Sequence, residues 1–152
     1  MNDLGERLAF LTRVIEKEIT HLQYTDAKLF EQLLTIEQIH QLHNNPVLSE
    51  KIDAFVSRFS RLQDTLGDKL LPALLQRLGE QTGPMLYNLD KAEKFGWINA
   101  ADEWMNIRML RNQMIHDYIE DSAILHDALQ TAHKFVAVLI GAGERMISKL
   151  DL

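Results

Sequence analysis

Apolar residues recur at three- and four-residue spacing along almost the whole chain, and no segment sustains strict alternation, so the pattern predicts an all-α protein. The first helix is expected from Leu4 to Leu22, with Leu4, Leu8, Leu11, Ile15 and Leu22 on one broad stripe and Glu6, Arg13 and Lys17 left for solvent. A less regular connector, Tyr24 to Asn45, is expected to hold two short helices. One follows Thr25-Asp26; the other opens with Thr35-x-x-Gln38, which has the form of a capping box. Asn44-Asn45-Pro46 ends that piece.

The most regular stretch comes next. Leu48, Ile52, Phe55, Phe59, Leu62 and Leu66 step by four, three, four, three and four, a heptad seam that suits the inward face of a helix bundle or a self-association surface. Gly67 and Pro72 predict a kink, because proline removes a backbone donor and clashes with the preceding turn; helix then resumes to about Leu78, before Gly79. A shorter helix from about Met85 to Phe95 ends at Gly96. Another begins near Asn99 to Asp102 and carries EWMNIRMLRNQMIHDY, and the last starts after Asp121-Ser122 and runs to about Leu150. No internal repeat, low-complexity tract or long linker interrupts this order. One bundle of four or five main helices is therefore expected over residues 1–152, with 1–46 as N-terminal helix and connector and 47–150 as the part bearing the chemistry.

Composition narrows the choice of function. A chain of 152 residues, 46% hydrophobic and 25% charged, fits one globular domain whose core can carry the fold. The absence of cysteine excludes disulfide frameworks, thiolate zinc sites and cysteine nucleophiles together. A net charge of -6 argues against broad coating of nucleic acid, which rests on excess Lys and Arg, so any nucleic-acid site must be local. The N-terminal residues lack a secretory-signal pattern, and the longest apolar stretch, FVAVLIGAG, falls far short of the roughly 20 residues needed to span a bilayer. The expected location is the cytoplasm, with no membrane partner.

One stretch breaks the apolar pattern in a way that invites chemistry. On an ideal helix Trp104, Ile107, Arg111, Met114, Ile115 and Tyr118 fall within roughly 100° of the circumference, which puts an arginine inside an apolar stripe. Guanidinium stays protonated, so an inward-facing arginine needs an acid, several acceptors or a water-filled cleft. A structural ion pair with Asp64 or Glu103 and a functional cleft both satisfy that need. His116 lies roughly 140° around the helix from Arg111, so the two meet only if the chain bends between them or a second copy supplies one. Asn112, a poor helix-interior residue, is a candidate place for the bend.

Arg111-Asn112-Gln113-Met114-Ile115-His116-Asp117-Tyr118 resembles the Arg-x4-His-x-Tyr motif of HEPN-domain proteins, particularly HepT-like toxins paired with minimal nucleotidyltransferase antitoxins. Phe55 to Glu80 and Asp90 to Tyr118 also look like a HepT-like branch, so the resemblance covers roughly the latter two thirds of the chain, while the N-terminal helix and connector match less distinctly. The resemblance implies an all-helical HEPN fold of up-and-down helices, usually a homodimer that brings two motifs into one cleft. It further implies a type VII toxin–antitoxin ribonuclease in which Arg111 and His116 are catalytic and the RNA 2′-hydroxyl attacks the adjacent phosphate without a metal or cofactor. His116 is suited to proton transfer and Arg111 to holding the phosphate, with Asn112 orienting the substrate or the bend and Asp117 able to tune His116. Tyr118 would be the residue to which the partner nucleotidyltransferase transfers AMP, placing a bulky negative group beside Arg111; it also suits an amphipathic residue at the bundle edge. A noncatalytic substrate-binding subunit of a nucleotidyltransferase, and a purely structural helical dimer, are the alternatives.

Other residues compete for attention. Lys51, Arg58, Arg61 and Lys69 would form a phosphate track on a continuous helix, but Glu50 and Asp68 project near Arg61 and suit an ordinary salt-bridged face. Arg108, one turn before Arg111, is the better candidate for an added RNA contact. His40 and His43 lack an evident third metal ligand, and His126 and His133 are too far apart for a compact pair. Ser57, Ser60 and Ser122 have no recognisable nucleophile setting, and no Walker loop or Gly-x-Gly-x-x-Gly is present.

Overall fold

The computed structural model describes residues 3–116 and 120–150, and every regular element among them is helical. Helix α1 spans Asp3–Leu29, α2 Ile36–His40, and a 3-10 turn Leu42–Asn44 leads into α3, Pro46–Asp64. A π-helical segment, Thr65–Leu70, joins α3 to α4, Leu71–Arg77, so that one rod runs from Pro46 to Arg77; α5 is Met85–Lys94, α6 Ala101–His116 and α7 Ser122–Ser148. Counting the rod once, the described residues form five main helices, as the periodicity predicts. None of them is long and apolar enough to cross a membrane.

Local signals set most of the boundaries. The Thr35 hydroxyl accepts from Gln38 N at 3.1 Å while Thr35 N donates to Gln38 Oε1 at 2.9 Å, completing the expected capping box. Asn45 accepts from Leu48 N at 3.1 Å and Pro46 occupies the first turn of α3, where its missing N–H costs nothing. Asp121 caps α7 by accepting from Ala123 N and Ile124 N. Gly79 and Gly96, just past α4 and α5, both adopt φ +78°, a left-handed conformation that favours glycine.

Helix α1 departs from expectation: it continues to Leu29, so no separate helix begins after Thr25-Asp26. The cause is tertiary. Arg58 on α3 donates to the His21 carbonyl oxygen at 3.2 Å and also to the Thr25 hydroxyl, while Thr25 and Leu29 are buried. Arg58 is thereby a structural clasp rather than part of a phosphate track. At the carboxy-terminal end of α1's neighbourhood, Phe30 packs edge-on to Phe55 and stacks on His133, which pairs with Asp26 at 2.7 Å, and His126 lies 2.7 Å from the Leu34 carbonyl oxygen. The two α7 histidines therefore tie that helix to the end of α1 and to the connector that follows it.

The seam is an inward bundle face, with Ile52, Phe55, Phe59, Leu62 and Leu66 all fully buried. The expected kink takes the form of the π segment just ahead of Pro72, which gives room for a proline whose ring would otherwise crowd the preceding turn. Gly67 lies within it, and a Cβ there would come 3.0 Å from Trp104 Nε1. The glycine lets the Trp104 indole of α6 approach the rod. Pairings of Thr25 with Arg58 and of Glu18 with Thr65 show α1 and α3 to be antiparallel, and the Arg111–Asp64 and Trp104–Gly67 contacts show the same for α3 and α6.

Candidate functional site

A groove of about 700 Å³ opens between α3 and the last turns of α6. On α3 its wall is a narrow polar stripe, Asp53, Ser57, Ser60 and Asp64, whose spacing of four, three and four holds them within roughly 60° of one another. Val56 on α3 and Met114 and Ile115 on α6 supply apolar surface, while Arg61, His116 and Glu120 add the remaining charged or titratable groups.

Arg111 is anchored beside this groove. Its Nη2 donates to Asp64 Oδ2 at 2.9 Å and its Nη1 to Asn112 Oδ1 at 2.9 Å. Of the two acids that could have partnered it, Asp64 does; Glu103 instead accepts from the Asn99 side chain at 3.3 Å. Both members of the pair are partly exposed, at 30% and 39% of the side-chain surface, so the bridge positions the guanidinium more than it stabilises the fold. Arg111 Nε is buried with no hydrogen-bond partner among the described residues.

No bend separates Arg111 from His116: α6 is continuous α-helix through His116, and Asn112 is spent on the Arg111 side chain. The expectation of a kink at Asn112 is thus corrected, because its amide finds a side-chain partner one residue away and leaves the backbone helical. His116 nevertheless lines the groove whose opposite wall carries Asp64, and it has no hydrogen-bond or ion-pair partner among the described residues. Arg108 is half-buried one turn earlier, likewise without a polar partner among them, and does not line the groove. Asp117 and Tyr118 lie outside the described residues.

Sequence reasoning passed over Asp53 and treated Ser57 and Ser60 only as nucleophiles. The signal for them was the run of short acids and hydroxyls at helical spacing, where a merely solvated face would carry longer charged side chains. Arg61 donates from Nη2 to Ser57 Oγ at 3.1 Å and lines the groove, whereas Arg58 does not. His40 and His43 border a separate pocket of about 470 Å³, and no cluster of three or more His, Asp or Glu placed to hold a metal occurs among the described residues.

Behind the groove, where α1 meets the rod, sits a buried acid. Burial pushes the Glu18 carboxyl above the ordinary carboxylate range, against the opposing effects of a hydrogen bond from Thr65 and the charges of Arg61 and Lys69; Asp64 adds to the rise. The Thr65 hydroxyl lies 2.8 Å from the Arg61 carbonyl oxygen and 3.2 Å from Glu18 Oε2, and it has one proton to give. With that proton on the shorter bond, a neutral Glu18 carboxyl can donate to the Thr65 oxygen.

No protein-family model, curated protein or solved structure matches the chain.

Proposed function

We propose that this chain is a HEPN-fold ribonuclease of the HepT type, acting as a homodimer and neutralised by a partner nucleotidyltransferase that transfers AMP to Tyr118. The observation that carries the reading is the placement of His116 on the wall of the α3–α6 groove, with Arg111 held at its edge by Asp64. Arg111 and His116 come from the final turns of one helix, separated by about 7.5 Å of rise. His116 removes the proton of an RNA 2′-hydroxyl. The 2′-oxygen then bonds to the adjacent phosphorus, the 5′-oxygen leaves with a proton returned to it, and a 2′,3′-cyclic phosphate remains. Arg111 stabilises the charge gathering on the phosphoryl oxygens. A second copy would contribute a second Arg111 and His116, concentrating positive charge in an otherwise acidic molecule. AMP on Tyr118 would add negative charge beside Arg111 and exclude the RNA phosphate.

A noncatalytic accessory subunit is favoured by a different observation. Asp53, Asp64 and Glu120 outnumber Arg61 along the groove, and Asp64 already neutralises Arg111, which disfavours a polyanion in a single chain. The two readings part in a growth and cleavage assay. Induced expression of wild type should arrest growth, Arg111→Ala and His116→Ala should each relieve the arrest, and purified wild type should cut RNA in the presence of chelator. Wild type that is as harmless as both variants, with RNA left intact, rejects the ribonuclease and leaves the accessory role.

A further inference from the structure

A second pocket, of about 210 Å³, lies behind the turn that follows α1 and shares no lining residue with the groove. Lys51, on its wall, is turned roughly 160° around α3 from Asp53. Lys28 from the last turn of α1, Gln38 from α2 and Lys51 from the second turn of α3 converge there on Gln32. Neither lysine has a carboxylate within ion-pair distance among the described residues. Lys28 Nζ stands 6.0 Å from the centre of the Tyr24 ring, the outer limit of a cation–π contact. The capping box fixes the Gln38 amide: its Oε1 accepts from Thr35 N at 2.9 Å, which leaves Nε2 as a donor without a partner among the described residues. The Gln32 amide is unpaired in the same sense, and the backbone N–H groups of Gln32 and Leu33, outside any helix, make no hydrogen bond among the described residues. Glu31 is the one acid on this lining. The pocket sits where the carbonyl end of α1, offset by Lys28, approaches the N-terminal turns of α3, whose dipole favours an anion.

We propose that this pocket binds a phosphate group, held by the ammonium groups of Lys28 and Lys51 and by the side-chain amides of Gln32 and Gln38. The site stands apart from the ribonuclease groove and does not depend on that reading. Two ammonium groups and two amide nitrogens are donors, and an ionised phosphate offers acceptors alone. A phosphate monoester carries a charge of about -1.5 to -2 at pH 7, which two lysines balance. Its oxygens point in tetrahedral directions and so meet donors arriving from three helices and a turn, where a planar carboxylate would reach fewer. Pockets for whole drug-sized ligands run from about 300 to 1,000 Å³. At 210 Å³ this one suits a single phosphate group, with the rest of any larger molecule outside. The shared chemistry admits two sources, free phosphate or a phosphate of RNA.

The test is an amide NMR titration of the full chain with inorganic phosphate at pH 7, with ionic strength held constant by chloride. The Gln38 and Gln32 side-chain amides and the backbone amides of Gln32 and Leu33 should shift together and saturate. Lys28→Gln and Lys51→Gln should each weaken binding about threefold and the double variant about tenfold, as expected for exposed charge pairs, while Lys94→Gln, on α5, should leave it unchanged. All three lysines are at the surface, so the substitutions leave the core intact. Shifts that fail to saturate, that spread equally to other surface lysines, or that persist undiminished in the double variant overturn the site, whether or not RNA is cut. Competition by 5′-phosphorylated and 5′-hydroxyl oligoribonucleotides then separates the sources. Displacement of phosphate by either assigns the site to RNA, and displacement by neither assigns it to free phosphate; both outcomes uphold the pocket.

Discussion

The face that α3 turns toward the seam and the face that it turns toward α6 differ in nearly every side chain. The first offers Ile52, Phe55, Phe59 and Leu62, all fully buried. The second offers Ser60, Gln63 and Asp64, met from α6 by Trp104 and Arg111, and four buried polar atoms there, Ser60 Oγ, Gln63 Nε2, Trp104 Nε1 and Arg111 Nε, have no partner among the described residues. Unpaired buried polar groups weaken a protein, and against one such atom where α1 meets the rod, Glu18 Oε1, the four on the α6 side give up stability that the seam supplies. The groove of the proposed site lies on that side, a division expected where function and stability compete.

Neighbouring substitutions can break that contrast. Phe59→Ala should cost about 3–5 kcal/mol through a cavity in the seam, whereas Ser60→Ala, one residue away, removes an unpaired hydroxyl and should change stability by less than about 1 kcal/mol, measured by urea unfolding. Comparable losses from the two would erase the distinction between the faces.

A smaller effect is expected at the glycine between them. Gly67→Ala sets a Cβ 3.0 Å from the buried Trp104 Nε1, and overpacking of about 1–3 kcal/mol should outweigh the roughly 0.5–1 kcal/mol gained from helix propensity. The net loss should be about 1 kcal/mol, accompanied by a shift in tryptophan fluorescence. A more stable variant with unchanged fluorescence would show that α6 can yield.

The subtlest effect concerns Glu18, whose carboxyl burial holds above its ordinary value of 4.5. A raised folded-state value means that the neutral form is preferred in the fold, so its contribution is fully present below the unfolded value and lost as pH rises through the folded one. Glu18→Gln should therefore gain thermal stability relative to wild type toward neutral pH, with the gap closing as pH falls toward 4.5 and below. A gap independent of pH would assign the difference to packing alone.

Features decided by neighbouring residues were the ones legible in the chain. Thr35 with Gln38, Asn45 with Pro46, and the two left-handed glycines mark boundaries because a cap or a positive φ needs only local partners. The extension of α1 past Tyr24 was not legible, since it depends on Arg58 reaching back from α3 to His21 and Thr25. The site divides in the same way. An arginine in an apolar stripe demands an acid, and Asp64 is one of the two that the pattern offers. Which side of α3 would face α6, and so that Asp53 shares a groove with His116, depends on how the two helices pack.

The π segment Thr65–Leu70 has a geometric consequence for the whole rod. In an unbroken α-helix, Leu71, Leu74 and Leu75 would be turned well away from the line of Phe55, Phe59 and Leu62; a wider turn holding one surplus residue rotates α4 by roughly 100° and returns them to it. All three are buried. The segment works as a phase adjuster between two stretches of different register: a one-residue deletion there would restore the regular pitch and leave Leu71 to Arg77 on the core, whereas straightening it with every residue in place would swing them off.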